Sequence, residues 1–457
     1  MSDSKAKTDL CHSSDPMVGC ALEGVANVLA GIRGAAILIH SPQGCASTVA
    51  AAFDHHEVDF TRRKTACTRL FETDVIMGAS QKLKDLIRTA DAKFETKTIF
   101  VVGTCAADII GEDLEGICRQ VQPEVKARLV PLTAGGFRGN LYDGMDSGLE
   151  ALLAHIPNLD EKIPNSVNLI APFASSNPTW WADLAWVREV LTDLGVEVRS
   201  VLAHETPFED LAKAGAASAN IVLSHDAGAG LAVKMEKSHG IPWIAPDLPL
   251  PVGLSNTAAW LRAIAKHFGV GGLVEPRILA GADKVASVLR KRALMMIPRY
   301  RNARVAVSTD ATFAIPLLRM LFSELEMIPE AILLRSKNPH AKALLDKECA
   351  DLGIFPKIVH GADGHAITEA LKTIPVDAVL GSAWEKYLAE EAGIRIAFDV
   401  FSPTNKDIYL DRPFFGYDGM LWLLEAMGND WEAALRSKEI DWEQYPEKRV
   451  AQLVDRA

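Results

Sequence analysis

Seven cysteines occur in 457 residues, and five of them lie before residue 106. Three of these share a local setting. Cys20 follows Gly19 and opens a helical stretch over 21–32. Cys45 closes Ser-Pro-Gln-Gly-Cys, a turn directly after an apolar run ending at His40, and Cys105 stands in Gly-Thr-Cys-Ala-Ala-Asp, directly after a run ending at Gly103. Thiolates ligate soft metals and iron–sulfur clusters. Small neighbours (Gly19, Gly44, Ala46, Thr104, Ala106) let backbone amides reach sulfur, where N–H···S bonds tune a cluster's potential. The competing reading is packing, because free cysteine is among the most buried residue types. Strand-end loops favour ligation, yet spacing alone leaves both readings open. No Cys-x-x-Cys occurs, so a zinc ribbon, a thioredoxin-like site and a bacterial ferredoxin find no support. Three thiolates would leave a cluster incompletely held, which points to a partner chain for the rest.

The elements that must carry these cysteines alternate between short β-branched runs and helical stretches, the pattern of parallel sheets covered by helices. Strands are expected at 36–40, 98–103 and 128–132; at 167–172, 196–201, 220–224 and 242–245; and at 304–308, 331–334, 357–359, 378–381 and 395–398. The expected fold class is therefore α/β, with three doubly wound Rossmann-like units. The polar, proline-containing stretch 158–165 and the break at 296–302 set the seams. They give an N-terminal unit over 1–160 carrying the cluster cysteines, a middle unit over 161–300, and a C-terminal unit with a helical tail over 301–457. In open α/β sheets ligands gather beyond the carboxyl ends of strands, which is where Cys45 and Cys105 fall.

Composition narrows the class further. A net charge of −11 disfavours nucleic acid or an anionic membrane as partner, since either selects a basic face. No run of about 18 apolar residues appears, and Met1 to Asp9 is polar and mixed in charge, so a cytoplasmic protein is expected. In a reducing compartment, an odd and clustered set of cysteines speaks for metal or redox chemistry over a disulfide framework.

Several segments together carry a family resemblance. Gly19-Cys20-Ala-Leu-Glu-Gly, Ile39-His40-Ser-Pro-Gln-Gly-Cys45 and Thr104-Cys105-Ala-Ala-Asp-Ile-Ile-Gly-Glu-Asp-Leu resemble the cluster-binding set of the nitrogenase component 1 family. So do Glu72-Thr-Asp-Val-Ile-Met-Gly78, Gly240-Ile-Pro-Trp243, Pro251-Val-Gly-Leu-Ser-Asn-Thr257 and Gly416-Tyr-Asp-Gly419, in the same order along the chain. The family's catalytic α subunit holds its large cofactor with a middle-domain cysteine and a histidine in Pro-Tyr-His-Gly-Tyr-Asp-Gly. Here that motif reads Pro413-Phe414-Phe415-Gly416-Tyr417-Asp418-Gly419, and no cysteine lies between Cys118 and Cys349. The chain thus resembles the β-type subunit.

The resemblance implies that Cys20, Cys45 and Cys105 share an [8Fe-7S] P-cluster with three cysteines of an α-type catalytic subunit in an α2β2 heterotetramer. It also implies a dimeric, ATP-dependent iron protein with a [4Fe-4S] cluster as electron donor, and no catalytic residue on this chain. Asn140 stands where the molybdenum enzyme's β subunit has a serine that can bind the oxidised cluster, and that subunit's long N-terminal extension is absent. Among nitrogenase-like relatives the chain resembles most the β-type subunit of methylthio-alkane reductases, which cleave carbon–sulfur bonds. The tetrapyrrole reductases fit less well. A true nitrogenase β subunit is the nearest rival. A cofactor-assembly scaffold, with one cysteine on a [4Fe-4S] cluster, is a rival of another class, and a cluster-free structural subunit a further one.

Other features read more simply. Cys67, near the 72–78 block, is placed either to approach the cluster or to pack, and packing is the expected role, as for Cys118 and Cys349; Cys11 beside His12 is not expected to ligate. Gly228-Ala-Gly230 lacks the third glycine of a dinucleotide loop and reads as a strand–helix turn. No Gly-x-x-x-x-Gly-Lys-Ser/Thr motif occurs, so ATP hydrolysis is not expected here. The acidic run 111–115 suits either a docking surface or a helix start, and Trp180-Trp181 either an interface or the core.

Overall fold

The computed structural model describes residues 19–55, 64–172 and 175–436. Three parallel sheets form its frame. In the first, β1 (Ala36–His40), β2 (Lys64–Cys67), β3 (Thr98–Gly103) and β4 (Arg128–Thr133) lie in the order β2-β1-β3-β4. Every residue of β1 and β3 is buried, as expected for short apolar runs covered on both faces. The second sheet is built by β5 (Ile163–Ile170), β6 (Glu197–Leu202) and β7 (Ala217–Val222), in the order β6-β5-β7. The third comprises β8 (Arg304–Thr309), β9 (Ile328–Leu334), β10 (Lys357–His360), β11 (Ala378–Ser382) and β12 (Ile396–Phe401), in the order β10-β9-β8-β11-β12. All pairings are parallel, which bears out the expected α/β class.

Two details depart from expectation. Lys64–Cys67 forms an edge strand that the sequence reading omits. The run 242–245 forms only a bridge from Trp243 to Asn220, because Pro242 has no N–H to give and Ala245 sits at φ 54°. The second and third sheets share one apolar core, in which Leu169, Leu191, Phe313, Leu334 and Phe414 are fully buried.

Two helices frame the cysteine region. Helix α1 (Ala21–Ala30) lies against the helix Leu141–Leu153, here α2, at glycine-paved contacts. A Cβ on Gly24 would stand 1.8 Å from the Leu141 carbonyl oxygen, and one on Gly144 would stand 2.1 Å from that of Ala21. Backbone meets backbone there, so no rotamer change can make room. This close approach sets Cys20, at the head of α1, beside the loop that enters α2.

Gly24→Ala or Gly144→Ala is therefore expected to lose about 1–3 kcal/mol or more of stability through overpacking. Gly271→Ala, where a Cβ meets nothing within 4 Å, is expected to be close to neutral. Denaturant midpoints of the three variants check this contrast.

Candidate functional site

The site grows from one register. In the first sheet His40 at the end of β1 pairs with Gly103 at the end of β3, so both chains leave the sheet at the same edge. Beyond β1 the chain turns through Ser41 and Pro42 into the helix Gln43–His55, which carries Cys45 in its first turn. Beyond β3, Thr104 caps the short helix Cys105–Ile109, and its hydroxyl donates to the His40 carbonyl at 3.1 Å, tying the two exits together.

Cys20 comes from a third direction. It is the N-cap of α1 with extended backbone, and it forms a bridge with Asn140. The Ala21 N–H donates to the Gly139 carbonyl at 3.2 Å and the Leu141 N–H to the Gly19 carbonyl at 2.9 Å. The loop 135–140 then connects Cys20 to Cys105. The Gly136 N–H donates to the Cys105 sulfur at 2.9 Å. A Cβ on Gly136 would lie 3.3 Å from the Cys20 Cβ and 3.4 Å from the Cys105 sulfur, so a side chain there would crowd both cysteines.

The electrostatics report the same convergence. Partial burial of the sulfur is the main cause that pushes the Cys45 thiol up, followed by the charges of Cys20, Cys105 and Cys67. Cys20, though open to solvent as a residue, is also pushed up by desolvation of its sulfur. The first-turn amides of Leu22 and Glu23 pull it back, and the charges of Cys105 and Glu23 oppose ionisation. Cys45 thus lies within electrostatic reach of Cys20, Cys105 and Cys67, and Cys20 within reach of Cys105. Among the described residues no group of three or more His, Cys, Asp or Glu is arranged to hold a single metal ion.

Cys67 joins this group although the sequence reading assigned it to packing. Its sulfur contacts the Ser41 carbonyl at 3.4 Å and accepts from the Arg69 N–H at 3.4 Å. Cys118 and Cys349 are buried as expected, with their thiols pushed by burial up to about 12 and about 11. Cys11 lies outside the described residues. Asn140 spends its side-chain oxygen on helix capping, accepting from Tyr142 N–H at 3.1 Å and Asp143 N–H at 3.4 Å. Large apolar side chains border the cysteine elements. Phe71, Ile76 and Met77 are 56%, 80% and 84% exposed, and Ile109 and Phe137 are also exposed.

The remaining candidates resolve into structural roles. The Gly228 N–H is occupied by the Asp146 carboxylate at 2.7 Å, a neighbour that would repel a phosphate. Glu112 accepts from Ala79 N–H and the Ser80 hydroxyl, and Asp113 caps the helix Leu114–Val121, so two acids of the 111–115 run serve helix starts. Trp180 packs against His204, and Trp181 donates to Asp411. Phe415 is buried among Trp186 and Phe313, with its N–H held by the fully buried Asp183 at 2.8 Å. The cleft beside it measures about 30 Å³. The two glycines at 135 and 136 were the one sequence sign of the amide donor, and Arg138 gave none.

Comparison with known proteins identifies the family. The chain matches the family described as nitrogenase component 1 type oxidoreductase over residues 20–432. It is 25% identical over 450 residues to the nitrogenase vanadium-iron protein beta chain of Trichormus variabilis, covering 91% of this chain and 93% of that one. It is 27% identical over 416 residues to the nitrogenase iron-molybdenum cofactor biosynthesis protein NifE of Methanococcus maripaludis, covering 88% and 81%. The solved structure of nitrogenase Cp1 at pH 6.5 superposes with a TM-score of 0.78 at 19% identity, covering 94% of this chain and 96% of that one, which is a likeness of fold. With a family match spanning almost its whole length, the chain belongs to the nitrogenase component 1 type oxidoreductases.

Proposed function

We propose that this chain is the β-type subunit of a nitrogenase-like reductase, and that Cys20, Cys45 and Cys105 hold one half of an [8Fe-7S] cluster shared with an α-type subunit. The observation that carries this reading is the approach of cysteines from separate segments at a partly exposed face: Cys20 and Cys105 flank Gly136, and Cys45 lies near enough to feel the charge of both. Thiols with raised pKa values lie together, and a bound cationic cluster would offset the repulsion of their thiolates. The Gly136 N–H and the helix-start amides near Cys20 supply donors to sulfur, and the lack of a side chain at Gly136 leaves the group room. When bound, such a cluster stores and relays electrons.

The residues of this chain position and insulate that group. The exposed Phe71, Ile76, Met77, Ile109 and Phe137 suit burial against an apolar partner surface, which would exclude water from the thiolates. In the proposed assembly, an α2β2 heterotetramer, the α-type subunit supplies the other cluster ligands and the catalytic iron–sulfur cofactor. Phe415 fills the place of the cofactor-binding histidine in the motif, and the 30 Å³ cleft beside it leaves no room for a large cofactor here. A separate dimeric iron protein with a [4Fe-4S] cluster would deliver electrons at the expense of ATP.

The proposed reaction is reductive cleavage of the carbon–sulfur bond in methylthio-alkanes, in which two electrons and two protons yield methanethiol and a hydrocarbon. Identities of 25% to a nitrogenase beta chain and 27% to a cofactor biosynthesis protein fit a branch separate from both. Asn140, committed to its helix, offers no hydroxyl for ligand exchange at the cluster. The likeness to a cofactor biosynthesis protein favours one second reading, a scaffold for cofactor assembly. As a β-type scaffold subunit, the chain would hold a [4Fe-4S] cluster with a single cysteine.

Alanine at Cys20, at Cys45 or at Cys105 is expected to lower iron per anaerobically purified complex by up to about half in each case, the α-type subunit's cofactor iron remaining, while Cys349→Ala leaves it unchanged. Iron loss in only one of the three variants would favour the scaffold instead. With iron protein and ATP, the complete system is expected to release methanethiol from methylthio-ethanol or dimethyl sulfide and no ammonia from dinitrogen. Gas chromatography and an ammonia assay check both products, and ammonia formation would return the chain to the nitrogenase β subunits.

A further inference from the structure

The loop that brings Gly136 to Cys105 is anchored differently at its two ends. At the Cys20 end backbone bonds hold it, through the Gly139 carbonyl to Ala21 N–H and the Leu141 N–H to the Gly19 carbonyl. At the Cys105 end the anchor is a side-chain pair. Arg138 donates from Nε to the Asp108 Oδ2 at 3.1 Å and from an Nη to Oδ1 at 3.0 Å, a bidentate fork. Asp108 stands three residues after Cys105 on the same short helix, and Arg138 two residues after Gly136, so the fork brackets the N–H···S bond. Gly135 completes the fit. A Cβ there would lie 2.3 Å from the Asp108 Oδ2, so a side chain at this point would push the carboxylate out of the fork.

The Arg138 and Asp108 side chains are 54% and 23% exposed. An ion pair this open to water contributes little to overall stability. Its planar, two-point geometry instead fixes orientation, which a lysine cannot reproduce. We propose that Arg138, through Asp108, is a positioning residue that holds the Gly136 N–H on the Cys105 sulfur and thereby raises the reduction potential of the cluster held there. The inference rests on the cluster reading above. An N–H donated to a ligating sulfur withdraws negative charge and favours the reduced, more negative state. Because the pair is itself neutral, its effect runs through geometry.

The test compares Arg138→Ala, Arg138→Lys and Asp108→Ala in the anaerobically purified complex by redox titration followed by electron paramagnetic resonance, with iron counted in each. A positioning role moves the midpoint potential to more negative values in both Arg138→Ala and Asp108→Ala, with a smaller shift in Arg138→Lys. A charge effect alone would move the two alanine variants in opposite directions, and that result, or no shift at full iron content, overturns the proposal. In the metal-free full-length chain, amide exchange over 135–140 is expected to speed up in Arg138→Ala, and unchanged exchange there overturns it as well. If an alanine variant fails to assemble, the Lys variant carries the same sign. A wild-type complex without iron would instead defeat the cluster reading, and the exchange measurement would still decide the clamp.

Discussion

Parallel strands end at a common edge, and the fold depends on that constraint at one pair of residues. With His40 paired to Gly103, two chain segments leave the first sheet side by side, and each delivers a cysteine within five residues. The Thr104 hydroxyl on the His40 carbonyl fixes the separation of the two exits. A one-residue slip of either strand would force both covered faces to repack, since β1 and β3 are buried throughout. The chemistry of the loops is thus held by the packing of the sheet beneath them.

The third cysteine is placed by a different force, close contact between helices. Gly24 and Gly144 let α1 and the Leu141–Leu153 helix approach until backbone touches backbone. Loop 135–140 lies between the two systems and is bonded to both, to the Cys105 sulfur through Gly136 and to α1 through Gly139. The Cys20 and Cys45 sulfurs resist ionisation, because partial burial and the charges of neighbouring thiols act in the same direction. A cationic group and a covering partner would relieve both. The exposed apolar side chains around the site fit the second need, and beneath the site the core of the first sheet and α1 runs on into Ile170, Leu202 and Val222 of the second sheet.

Much of this was legible in the sequence, for physical reasons that differ by element. β1, β3 and the strands of the third sheet read clearly because buried parallel strands are continuous apolar runs. Cys45 and Cys105 were conspicuous as strand-end residues flanked by small side chains. Lys64–Cys67 was not, since a half-buried edge strand of four mixed residues carries no such pattern. Without that strand, packing was the simpler reading of Cys67, whereas its charge reaches Cys45. Ala21–Ala30 was expected from its pattern, but its contact with a helix 120 residues later depends on glycines whose role shows only in three dimensions. The Arg138–Asp108 fork is invisible for the same reason, being an ion pair 30 residues apart. Phe415, by contrast, stood out in the motif alone, and its ring is buried beside a narrow cleft.

The central claim is that these cysteines hold a cluster jointly with another chain, and iron anomalous diffraction from the anaerobically purified complex tests it most directly. The account predicts one compact peak of iron density at the subunit boundary, bordered by the sulfurs of Cys20, Cys45 and Cys105 and by the Gly136 amide. Iron held by only one of the three, or no iron at that boundary in a complex that retains its partner subunit, would contradict it.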